Sequence, residues 1–99
     1  MATWYRVRNV NEVVCATDTV EVEPNNGTDF THEELQGYIG GYIEVVYLNN
    51  DRMMIVYEEG KLKGLPFNVA ATLAYNEGTG RYDDLILGNA IVCNRNQVK

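Results

Sequence analysis

Residues 42–59, YIEVVYLNNDRMMIVYEE, restrict the possible folds more than any other stretch of the chain. Two β-rich runs flank Asn49-Asn50-Asp51, whose side chains favour tight turns and tolerate positive φ, so the segment predicts a β-hairpin. Successive strand residues point to opposite faces, and here both faces are apolar. Ile43, Val45 and Tyr47 share one side; Tyr42, Val46 and Leu48 share the other, with Glu44 alone interrupting it. A sheet with one face in water alternates more cleanly than this. If helices cover one face, then the N-terminal hairpin, a second copy of the chain or a ligand must cover the other, and self-association is the expectation.

The elements on either side follow from local signals. FTHEEL is a capping box, in which Thr31 accepts from the Glu34 backbone and Glu34 reaches back, with Phe30 and Leu35 as a hydrophobic staple. The helix it opens runs through Leu35, Tyr38 and Ile39 and stops at Gly40-Gly41. Upstream, TWYRVRN and VVCATDTVEVEP read as a strand or hairpin, the second run interrupted around Thr17-Asp18, and Pro24-Asn25-Asn26-Gly27 is a turn. Downstream, residues 59–64 form a polar loop, PFNVAATLAYN a second helix ending at the NEGTG loop, and LILGNAIVCN a last strand bent at Gly88-Asn89. NRNQVK is expected to be a frayed tail. The sum is an α+β fold: an antiparallel sheet with two short helices on one face, in split βαβ (ferredoxin-like) order preceded by an N-terminal strand or hairpin. The expected organisation is one domain over 1–99, with N-terminal strands within 1–24 and a helix–hairpin–helix–strand core over 30–93.

Fourteen acidic against eight basic side chains give a charge of −6, which argues against direct nucleic-acid binding, because phosphate neutralisation needs clustered positive charge. No apolar run reaches the roughly 20 residues of a membrane span, and MATWYRVRN does not read as a secretory signal, so a cytoplasmic location is expected. Cys15 and Cys93 stand in apolar runs without a CxxC partner and read as buried reduced thiols.

Candidate functional residues are few. Asn68 in GLPFNVAAT either caps the helix or, at a helix start with free N–H groups, reads a ligand carbonyl or base. Lys61 and Lys63 beside it are the best-placed cations for an anionic ligand, and Tyr42 and Tyr75, among seven tyrosines, offer stacking surfaces. Trp4, Arg6 and Arg8 share one side of the first strand, either as a base-and-phosphate site or as a charge-guarded edge. His32 has no nucleophile beside it, and Glu58-Glu59 and Asp83-Asp84 are sequence neighbours that point apart in a strand. No catalytic residue, metal site or cofactor is expected, and the chain reads as a non-enzyme.

LQGYIGGYIEVV, YEEGKLKGLPFNVAAT and LILGNAIV resemble a family of small domains of unknown function, the 3846 family, encoded by bacteriophages and mobile elements. The likeness spans residues 35–92. It implies a binding protein acting against host defence in the host cytoplasm. The first expectation is a sponge, a homo-oligomer whose subunit junctions enclose a nucleotide immune signal with Asn68, Lys61, Lys63, Tyr42, Tyr75, Arg6 and Arg8. The alternative is an acidic protein–protein inhibitor that imitates DNA toward a defence nuclease or another nucleic-acid enzyme.

Overall fold

The computed structural model describes residues 2–9, 15–59 and 64–98, the side chains of residues 8, 9, 15 and 16 excepted. Strands β1 (Ala2–Asn9) and β2 (Cys15–Val22) pair antiparallel from Ala2 opposite Val22 to Asn9 opposite Cys15. The pairing runs unbroken through Thr17 and Asp18, so the expected interruption there is absent. Cross-strand partners explain why: Asp18 sits opposite Arg6 and receives two hydrogen bonds from its guanidinium, at 3.0 and 3.1 Å.

Helix α1 (His32–Ile39) starts as its capping box dictates, with Thr31 Oγ1 accepting from Glu34 N at 3.1 Å and the Glu34 carboxylate accepting from Thr31 N at 3.2 Å. It ends at Gly40, whose φ of 94° is a left-handed conformation that costs glycine little. Strands β3 (Ile43–Tyr47) and β4 (Arg52–Tyr57) form the expected hairpin, and Asn50 and Asp51 at its turn have φ of 58° and 57°. Helix α2 (Val69–Thr79) runs past the point where the NEGTG loop was expected. Gly78 is accommodated because it faces the sheet: a Cβ there would lie 2.9 Å from Leu48 Cδ2, so the missing side chain is what lets the helix approach. Gly80, at φ 70°, supplies the stop instead. The last strand, β5 (Ala90–Asn94), is shorter than expected; residues 85–87 make only an isolated bridge, Leu87 to Phe67, before Gly88 turns the chain at φ 82°.

The strand pairs among the described residues are antiparallel and the strand order is β2-β1-β5-β4-β3. The C-terminal strand thus fills the central slot, which departs from the ferredoxin-like order. A second correction concerns the layers. Leu35 and Ile39 of α1 pack on Met53, Ile55, Ile91 and Cys93, whereas Ala71 and Tyr75 of α2 pack on Met54, Val56, Ala90 and Val92. Alternate residues of β4 and β5 therefore meet different helices, one on each face of the sheet. This accounts for the greasy two-sided strands: β4 is buried from Met53 to Val56 because it lies between two helices. The expected placement of both helices on one face fails, and with it the reason for expecting the N-terminal hairpin, a second copy or a ligand to cover the other.

Residues 95–98 are docked instead of frayed. Phe30 N donates to Gln97 O at 2.6 Å, Val98 bridges Phe30, and a short 3₁₀ turn over Arg95–Gln97 joins that contact to β5. Phe30, fully buried, is the anchor.

Candidate functional site

On the α2 face a groove of about 560 Å³ opens between the end of the β3–β4 hairpin and residues 84–87. Its position is fixed by how tightly the segment after α2 is bound to that helix. Thr72 Oγ1 accepts from Ile86 N at 2.9 Å and donates to Asn68 O at 2.8 Å; Asn68 N donates to Ile86 O at 2.9 Å and Gly88 N to Pro66 O at 2.7 Å. The Tyr75 hydroxyl donates to Asp83 Oδ1 at 2.9 Å, and Arg81 donates to the other Asp83 oxygen at 2.9 Å. Burial, and then the bond to Asp83, push the Tyr75 phenol above its ordinary range, while the same bond and Arg81 hold the Asp83 carboxyl below its own.

Val46, Val56 and Ile86 floor the groove with the Tyr75 ring, and the carboxylates of Glu44, Glu58, Glu59 and Asp84 line it. No lysine or arginine is among its described lining residues. The hairpin register sets Glu44 opposite Val56, which is how an acidic and an apolar residue share one wall. The groove runs on into a shallower depression beside Tyr82 and Leu85, both exposed. Among the described residues no group of three or more histidine, cysteine or carboxylate side chains could hold a metal ion. An apolar floor under negative charge suits a ligand that brings both aliphatic surface and positive charge.

The residues singled out in the sequence do not converge. Asn68 is fully buried. Its Nδ2 donates to Tyr5 O at 3.1 Å and Gly88 O at 2.9 Å, and its Oδ1 accepts from Ala71 N at 3.0 Å. Of its two readings the cap is the one realised, and no exposed atom is left to meet a ligand. Tyr75 does border the groove. Tyr42 is exposed just ahead of β3, its carbonyl accepting from Glu58 N. Arg6 lies on the α1 face, spanned between Asp18 and the Trp4 ring, and Trp4 in turn stacks edge-on against Tyr38 at 4.9 Å. Lys61 and Lys63 lie outside the described residues, as does the side chain of Arg8.

Two features escaped the sequence reading. Glu44 and Glu58 could have been found by extending the hairpin register from its turn, whereas Asp84 reaches the groove only through the tertiary bonds of α2. Asn89 was read as part of a bend, yet its Oδ1 accepts from Val7 N at 2.9 Å and its Nδ2 donates to Tyr38 O at 3.3 Å. Asn68 thus satisfies a β1 backbone group at the last β1–β5 pair, Tyr5 with Ala90, and Asn89 one beyond it. A side-chain amide carries its donor and its acceptor on separate atoms, so one residue can meet an N–H and a C=O at once.

These features define a class: a small three-layer α+β domain, one antiparallel sheet between two helices, with an acid-lined groove on one face. The chain belongs to the family described as Domain of unknown function (DUF3846), whose model matches residues 12–98. The match takes in β2 and the docked residues 95–98 as well as the motifs noted in the sequence. Neither the curated proteins nor the solved structures contain a match to it.

Proposed function

We propose that this chain is a non-enzymatic binding module whose groove takes a basic, aliphatic-bearing segment of a partner protein, of the kind nucleic-acid enzymes use to hold phosphates. In the setting implied by the family resemblance, that partner is a host defence nuclease. The carrying observation is the placement of Glu44, Glu58, Glu59 and Asp84 around a floor of Val46, Val56 and Ile86. In a chain of charge −6, four carboxylates and an apolar floor share this groove among the described residues. The nucleotide sponge has less support, because an anionic ligand would meet four carboxylates in the groove and Asn68 is spent inside the fold.

Titration calorimetry with a short peptide alternating lysine and leucine tests this, against the same peptide with glutamate for lysine and against a panel of cyclic nucleotides. The basic peptide should bind, with affinity falling as salt rises. Glu44→Lys combined with Glu58→Lys should weaken it at least ten-fold, while Glu33→Lys, in α1 on the opposite face, should not. Nucleotide binding without peptide binding, or equal affinity in the charge-reversed protein, would overturn the proposal.

A further inference from the structure

β3 is an edge strand, hydrogen-bonded on one side only, to β4. Which of its backbone groups stay free follows from the hairpin bonds. Leu48 N donates to Arg52 O and Glu58 N to Tyr42 O, both at 2.9 Å. In an antiparallel ladder the residues pointing toward the partner alternate, so Tyr42, Glu44, Val46 and Leu48 turn their N–H and C=O toward β4. Ile43, Val45 and Tyr47 turn theirs outward.

Within the strand itself this edge lacks the usual protections, the nearest charge on the α1 face being the Arg95 guanidinium 4.7 Å from the Tyr47 ring centroid. It carries no lysine, proline or bulge, and its single charge, Glu44, lies on the α2 face in the groove wall. Val45 is 38% and Tyr47 62% exposed on the α1 face. The opposite edge, β2, differs: Asp18 and Glu21 lie within it, and Glu23 and Pro24 follow it.

We infer that β3 pairs antiparallel with β3 of a second copy, joining two sheets into one. The strand is self-complementary about Val45. With Val45 opposite its own equivalent, Ile43 of each copy faces Tyr47 of the other, and the outward groups of Ile43, Val45 and Tyr47 meet as hydrogen-bonded pairs. On the α1 face this gives an unbroken row of aromatic and β-branched cross-strand pairs. On the α2 face Glu44 comes opposite Val46 of the second copy, so no carboxylate is set directly against its equivalent. A second copy is the occupant this register fits.

The dyad runs perpendicular to the joined sheet, so both grooves open on the same side and meet across it. The resulting continuous acidic trough rests on the ligand reading above; the pairing does not. Each copy carries a charge of −6, so the dimer should tighten as salt rises, opposite to the peptide affinity. A five-residue strand makes a small interface, in the class of weak, transient associations.

Sedimentation or light scattering over a wide concentration series, up to the highest the protein allows, tests the pairing. The wild-type chain should pass from one-chain to two-chain mass. Val45→Pro removes an outward N–H and no β3–β4 bond, and Val45→Lys sets two like charges across the dyad at a position half open to solvent. Each should weaken dimerisation at least ten-fold with the far-ultraviolet circular dichroism unchanged. The second variant decides the matter if proline perturbs the strand. A wild-type mass of one chain throughout, or undiminished dimers in the Val45→Lys protein, would overturn the inference. Loss of dimer with retained peptide binding leaves the proposed function standing, and loss of peptide binding with intact dimer leaves the pairing standing.

Discussion

Replacing Asn68 tests whether its amide is structural cement. In Asn68→Ala the helix loses its cap acceptor for Ala71 N, an effect of about 1 kcal/mol. The carbonyls of Tyr5 and Gly88 also lose their Nδ2 donor at a fully buried position, and each unmet carbonyl costs about 1 kcal/mol or somewhat more. The sum, about 3–4 kcal/mol, is a large fraction of the roughly 5–15 kcal/mol that holds a domain folded. Urea unfolding should show it directly: with a slope of about 1–3 kcal/mol per molar, the midpoint falls by about 1 M or more. Asn68→Asp separates the parts, because it keeps the cap acceptor but sets a carboxylate against two carbonyl oxygens. It should be at least as destabilising as alanine although the cap survives. If Asn68→Ala costs less than about 1 kcal/mol, the amide does not bind α2 to β1 and the reasoning about its three bonds fails.

Two further outcomes concern pH. Burial pushes the Cys93 thiol from 9.0 up to about 11, so its contribution is fully present below pH 9 and is lost as pH climbs through 11. A thiol so buried should make the loss about 2–3 kcal/mol, and thermal melts across that range should fall in the wild type more steeply than in Cys93→Ala. Backbone hydrogen bonds from Asn25 and Thr31 hold the Glu34 carboxyl below its ordinary range. Its contribution is therefore present above the unfolded carboxyl's range and disappears as pH falls through the lowered folded one. Melts taken down the acid limb should show a flatter decline in Glu34→Gln, and identical acid limbs would refute the capping assignment.

What could be read in advance follows a physical line. The capping box, the Asn50-Asp51 turn and the Gly40 stop involve residues within four of one another, and their hydrogen bonds come out as their spacing implies. The end of α2 was misread because glycine weakens a helix locally, and the compensation, Leu48 packed against Gly78, comes from a residue thirty positions away. Asn68 was legible as a cap from its place before the alanines, but its burial was not, since the carbonyls it serves belong to β1 and to the turn before β5. Arg6 and Trp4 were rightly put on one side of a strand; that the guanidinium is engaged by Asp18 depended on the β1–β2 register.

By itself, then, the sequence determined the kinds of element, most of their starts and stops, and the two-sided apolar character of the middle hairpin, all of which are encoded in short-range bonding and in side-chain period. Only the tertiary structure decided that the helices take opposite faces, that β5 enters between β1 and β4, and that Asp84 joins Glu44 and Glu58 around one groove. A strand apolar on both sides records that each face must be covered and not by which helix; that choice is made by packing distant segments across the sheet, where the sequence pattern is silent.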